Sequence, residues 1–160
     1  MKVSLQISCD LENIAALSPV GEDFRWYLKF KCQSCGDKSE KWQYITQEES
    51  VPLKGGRGSA NLVIKCKLCG RENSADIFPD SVKPYTGDGD RKMKTIVSFD
   101  CRGMEPVDFS PRNGWQCEAV ETGTKFDDVD LSEKEWVDYD EKAKETVGIY
   151  ELAHQFVRQK

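Results

Sequence analysis

The chain has 160 residues, 38% hydrophobic and 32% charged, with a formal net charge of −5 and a pI near 5.0. That balance fits a folded globular protein and excludes a disordered one, and the acidic total argues against nucleic acid as the main partner. No stretch approaches the roughly 18 apolar residues of a membrane helix. The opening MKVSLQISCDLEN lacks the apolar block and cleavage site of a signal peptide, so a cytoplasmic protein without membrane contact is expected.

Alternation of period two recurs along the chain. Val3, Leu5, Ile7 and Cys9 share one parity, and Phe24, Trp26, Leu28 and Phe30 another; Leu62, Ile64 and Cys66, then Val97, Phe99 and Cys101, repeat the pattern. Each run reads as a strand with one buried face. SPVGED, VPLKGGRGS, KPYTGDGD and FSPRNG punctuate the runs as turns. SEKEWVDYDEKAKE is the one helical candidate, although EWVDYD fits an aromatic strand equally well. The fold class is therefore all-β, or mainly β.

Residues 79–92, PDSVKPYTGDGDRK, are the best boundary candidate. They divide the chain into a cysteine-hook half, 1–80, and a second half, 81–160, expected to pack as one unit. In each half an alternating strand ends on a cysteine, Cys9 or Cys101. Nine residues later comes Ser18-Pro19 or Ser110-Pro111, and then a Gly and a Trp: Gly21 and Trp26, or Gly114 and Trp115. This weak repeat predicts two similar antiparallel β-sandwich or barrel-like halves in a pseudo-symmetric arrangement. Counted from the tryptophans, ETGT at 121–124 stands where CQSC stands at 32–35.

The seven cysteines cannot all pair, and in a cytosolic protein they read as metal ligands or free thiols. Four fall in two matching hooks, CQSCG at 32–36 and CKLCG at 66–70. A Cys-x-x-Cys turn brings two sulfurs to one ion, and the following Gly supplies the positive φ such a turn needs. Two hooks give a closed four-sulfur site of the structural kind. The 30 residues between Cys35 and Cys66 leave room for one hairpin, from KWQYIT to ANLVIK. A redox site competes with this reading, but a thioredoxin-like hook opens a helix, and polar loops follow both hooks here. Cys9, Cys101 and Cys117 read as small buried hydrophobes.

Other features are weaker. KGGRGS at 54–59 lacks the ending of a phosphate loop and reads as a flexible hairpin loop with a minor anion-binding option. His154 reads as structural, on one parity with Tyr150, Leu152 and Phe156. KFDDVDLSEKE reads as a solvated charge run without a paired acid and base. Trp26 and Trp42 are expected to shield the first hook.

The blocks GEDFRWYLKFKCQSCG, EKWQYI, LKGGRGSANLVIKCKLC, FDCRGMEPVDFSP and VGIYELAHQFV together resemble the DUF866 (UPF0587) family of eukaryotic CXXC motif-containing zinc-binding proteins, over residues 3–157. The resemblance implies a mainly β protein of two related halves. It further implies one Zn2+ per chain on Cys32, Cys35, Cys66 and Cys69, and no established enzymatic activity. The functional expectation is a non-enzymatic, monomeric protein-interaction or adaptor module with no nucleic-acid partner. The alternative is a thiol- or metal-handling protein that uses the hooks themselves.

Overall fold

The computed structural model describes residues 1–87 and 91–159. Residues 88–90, inside the expected boundary segment, lie outside the described residues. The strands are β1 Lys2–Glu12, β2 Ile14–Pro19, β3 Trp26–Cys32, β4 Gln43–Ile45, β5 Val51–Pro52, β6 Ser59–Ala60, β7 Leu62–Lys65, β8 Glu72–Ile77, β9 Tyr85–Thr86, β10 Lys94–Arg102, β11 Met104–Ser110, β12 Trp115–Ala119, β13 Lys125–Val129, β14 Trp136–Asp140 and β15 Glu145–Gln159. A 3-10 turn at Pro79–Ser81 is the only helical piece among the described residues, and no helix is long and apolar enough to cross a membrane. The chain is all-β, and its strand pairs are antiparallel.

Sequence alternation becomes burial alternation. In β3 Trp26, Leu28, Phe30 and Cys32 are buried and the residues between them are not. WVDYD forms β14, and the turn after it leads into β15, so the helical option is replaced by a hairpin. In β15 the parity of buried residues switches after Ile149, where Glu151 takes a φ of 53°. This bulge separates Tyr150 from the face of Leu152 and His154.

The strand order is β14-β15-β1-β10-β8-β7 in the largest sheet, β11-β3-β4 in a second and β13-β12-β2-β9 in a third. Both chain halves contribute to all three, with β1 lying between β15 and β10. Leaving aside β9 and the β5–β6 pair, which have no counterpart, the order is unchanged when β1 exchanges with β10, β2 with β11, β3 with β12, β4 with β13, β7 with β14 and β8 with β15. One apolar core runs between the sheets. At its centre Trp26 and Trp115 meet edge to face, with centroids 5.9 Å apart, and Phe24 packs on both at 4.7 and 5.0 Å. Such contacts add about 0.5–1.5 kcal/mol each beyond burial. The Trp115 indole N–H donates to the Pro111 carbonyl at 2.9 Å, so this buried ring leaves no polar group unpaired.

The hairpin expected from KWQYIT to ANLVIK does not form. β4 pairs with β3, β7 pairs with β8, and only the short β5 and β6 pair across the glycine-rich loop. Each hook is itself a tight turn, so the strands flanking it close locally, which costs less loop entropy than bridging 30 residues.

Candidate metal centre

CQSCG is the turn that leads out of β3, and CKLCG is the turn between β7 and β8. Both use one hydrogen-bond scheme. The Cys32 N–H donates to the Asp37 carbonyl and the Gly36 N–H to the Cys32 carbonyl, both at 2.8 Å; Cys66 with Arg71 and Gly70 with Cys66 repeat this, both at 2.9 Å. Gly36 and Gly70 take φ of 81° and 78°, a region open to Gly at little cost.

The two turns come from different sheets and meet tip to tip. All four sulfurs lie within 4.8 Å of one another. Cys32 and Cys69 are 3.8 Å apart and Cys35 and Cys66 3.6 Å. Four thiolates about 2.3 Å from a central Zn2+ stand about 3.8 Å apart in a tetrahedron, so the donor set and its spacing fit that ion. These separations are far beyond the ~2.05 Å of a disulfide. The first cysteine of each hook is buried and the second exposed.

Asn73, buried on β8, donates its side-chain N–H to the Cys32 sulfur at 3.4 Å. That bond, with the Cys35 and Ser34 amides, pulls the Cys32 thiol down to about 6. The Cys69 and Leu68 amides likewise lower the Cys66 thiol. Cys35 goes the other way: the Asp37 amide favours its thiolate, but desolvation and the neighbouring thiols, Cys66 foremost, push it up to about 12. Packed this closely, four sulfurs cannot all be anionic without a cation among them.

Gln33 donates its backbone N–H to the Gly103 carbonyl at 2.9 Å. Gly103 has a φ of 81°, and a Cβ there would run into the side-chain oxygen of Asn73. Asn73 and Gly103 thus form a shelf beneath the first hook. Sequence reading missed both, because neither carries a metal-ligand side chain; the only signal was that Asn73 follows Cys69 by four residues.

The remaining sequence candidates are placed elsewhere. Trp26 is in the core, and Trp42 lies beneath the Lys29 ammonium at 4.7 Å, so neither lines the cleft beside the thiols. The loop containing KGGRGS is occupied by the protein's own carboxylate: the Lys54 and Gly55 amides donate to Glu72 at 3.0 and 3.3 Å. His154 packs edge-on against Phe109 and Phe156 and sits 3.6 Å from Asp108; burial lowers its pKa. In the acidic run Asp127, Asp128 and Asp130 bond to Gln116, Asn113 and Ser132. Cys9, Cys101 and Cys117 are buried in the core, and burial pushes each thiol up to about 12.

The second half contains the same turn without cysteines, two residues away from the expected register. The Ala119 N–H donates to the Thr124 carbonyl and the Gly123 N–H to the Ala119 carbonyl, at 2.9 and 3.0 Å, with Gly123 at φ 68°. Ala119 therefore corresponds to Cys32 and Thr122 to Cys35, because β12 is two residues shorter than β3. Asp140, at the end of β14, corresponds to Cys66. It accepts from the amides two and three residues on, Lys142 and Ala143, as Cys66 does from Leu68 and Cys69. Thr122 donates to Asp140 at 2.6 Å, where Cys35 faces Cys66.

Residues 4–157 match the family model described as CXXC motif containing zinc binding protein, eukaryotic. The CXXC motif containing zinc binding protein of Homo sapiens is 60% identical over 157 residues, 98% of each chain. The UPF0587 protein CG4646 of Drosophila melanogaster is 49% identical over 161 residues, 100% of this chain and 99% of that one. The crystal structure of C1orf123 superposes with a TM-score of 0.94 at 60% identity, covering 99% of this chain and 100% of that one. A hypothetical protein from Plasmodium falciparum shares the fold, with a TM-score of 0.87 at 24% identity over 98% and 99% of the two chains. The chain therefore belongs to the family of eukaryotic CXXC motif containing zinc binding proteins, and Cys32, Cys35, Cys66 and Cys69 form one group positioned to hold a single metal ion.

Proposed function

We propose that this protein is a non-enzymatic binding module whose Cys32, Cys35, Cys66 and Cys69 hold one structural Zn2+, and that its partner is another protein. The observation that supports the metal assignment is the gathering of four sulfurs within 4.8 Å, with opposite pairs at 3.6 and 3.8 Å. Four protein ligands complete zinc's tetrahedron and leave no position for a reacting water. A bound ion would act mechanically: Cys32 and Cys35 on one turn and Cys66 and Cys69 on the other would be tied together, and its binding free energy would be folding free energy.

Elemental analysis of protein purified without chelator is expected to give one zinc per chain, and Cys32→Ser to give none or a small fraction; zinc-free wild type would sink the assignment. Affinity purification from cells with wild type and Cys32→Ser tests the binding role, with partners expected to depend on the zinc-bearing fold. The metal-handling alternative draws on the exposure of Cys35 and Cys69. Rapid zinc exchange, or fast reaction of the zinc-loaded protein with thiol reagents, would favour it.

A further inference from the structure

The charge of this acidic chain is unevenly distributed. Residues 25–71 carry ten Lys and Arg against four Asp and Glu, a net of +6 in a chain of total −5, which leaves −11 on the remainder. Within this basic segment a cleft of about 280 Å³ opens between the outgoing arm of the first hook and β7. Phe30, Ile64 and Met104 give it an apolar lining, and the buried sulfur ligands Cys32 and Cys66 back it. Lys38, Lys41, Lys65 and Lys67 stand exposed at its rim with Asp37 and Glu40. Among the described residues none of these four lysines is in an ion pair. Leu68, at the tip of the second hook, is 71% exposed.

We infer that this cleft is a docking site for an acidic peptide segment of a partner protein, with one large apolar side chain seated on Phe30, Ile64 and Met104 and carboxylates facing the lysine rim. This rests on the protein-binding reading above and gives that reading a partner class. The volume falls just below the ~300–1,000 Å³ of sites that enclose drug-sized molecules, and suits an anchoring side chain. The lysines supply the long-range attraction that sets approach and register. A single-stranded nucleic acid would need free aromatic faces for its bases. On the adjoining strands those faces are taken by cations: Arg25 lies over Tyr44 at 4.5 Å, Lys29 over Trp42 at 4.7 Å and Arg112 over Tyr27 at 3.8 Å.

The test uses the zinc-loaded full chain and fluorescence anisotropy with a labelled peptide, Glu-Asp-Glu-Phe-Glu-Asp-Glu. The same peptide with Ala for Phe and a 15-nucleotide thymidylate strand are the comparison probes. The Phe peptide is expected to bind, and to lose about tenfold in affinity when Phe becomes Ala. Lys38→Glu/Lys41→Glu and Lys65→Glu/Lys67→Glu are each expected to weaken it about tenfold or more, with zinc content unchanged. Lys142→Glu/Lys144→Glu, in the turn between β14 and β15 and outside the cleft, is expected to leave it unaltered. Absence of peptide binding, equal binding of the Ala peptide, tighter binding of the thymidylate strand, or an equal loss in the Lys142/Lys144 variant would each overturn the inference. Cellular partners that survive both rim reversals would leave the broader binding reading standing and remove the cleft from it. Peptide binding without any cellular partner would uphold the cleft and count against the broader reading.

Discussion

Gly36 and Gly103 share a φ of 81° but are irreplaceable to different degrees. Nothing lies within 4 Å of a Cβ built on Gly36, so Gly36→Ala carries only the left-handed penalty, about 1–2 kcal/mol. Gly103→Ala adds a collision with Asn73, the residue whose amide holds the Cys32 sulfur. Asn73 is buried with its side-chain oxygen unpartnered, and any shift away from the new Cβ moves the amide that donates to Cys32. Gly103→Ala is therefore expected to lower the urea midpoint more than Gly36→Ala, and also to speed zinc loss to a chelator. Equal losses in the two variants would remove the Asn73–Gly103 shelf from the account of the site. The gathering of four cysteines was legible in the sequence because Cys-x-x-Cys-Gly states both the candidate donors and the turn. The shelf was not, since an Asn and a Gly acquire their meaning only when β8 and the β10–β11 turn are brought together.

At the scale of the element, the knuckle is a backbone turn that forms with or without cysteines. Its scheme recurs at Cys32, Cys66 and Ala119, and Asp140 accepts amides as Cys66 does. Where the first pair of turns has four sulfurs, the second has a carboxylate held by two threonine hydroxyls. The Thr122 hydroxyl, followed by the Ala143, Lys142 and Thr124 bonds, lowers the Asp140 pKa. A lowered carboxylate pKa stabilises the fold above the unfolded value near 4, and that stabilisation fades as pH falls through the folded value. Asp140→Asn is expected to lower Tm at pH 7, and by progressively less as pH falls below about 4. A Tm difference that stayed constant down to pH 3 would rule out the charge as its source. Sequence counting found this loop through ETGT but set it two residues out of register, because counting from Trp115 assumed strands of equal length. The partnership of Thr122 with Asp140 was illegible, since short acidic runs on hairpins are usually solvated.

At the scale of the whole molecule, a metal on the four cysteines would fasten the β11-β3-β4 sheet to the edge of the six-stranded sheet. Its removal is expected to release both hairpins, β3–β4 and β7–β8, while β1 stays protected between β10 and β15. Hydrogen exchange before and after chelation reads this directly, and faster exchange confined to one hairpin would show that the metal does not bridge them. Alternation made the all-β class legible from Val3 onward. The sheet partners were not legible, because period two says which face is buried and nothing about which strand lies alongside. The position of β1 also bears on synthesis. It leaves the ribosome before either of its neighbours, Lys94–Arg102 and Glu145–Gln159. Both edges of this strand stay open until β10 has been made, and open strand edges are aggregation-prone. The cysteine hooks, complete by residue 70, emerge long before β1 can be closed in, so zinc loading on the nascent chain would place the first fixed point from which the late strands are gathered.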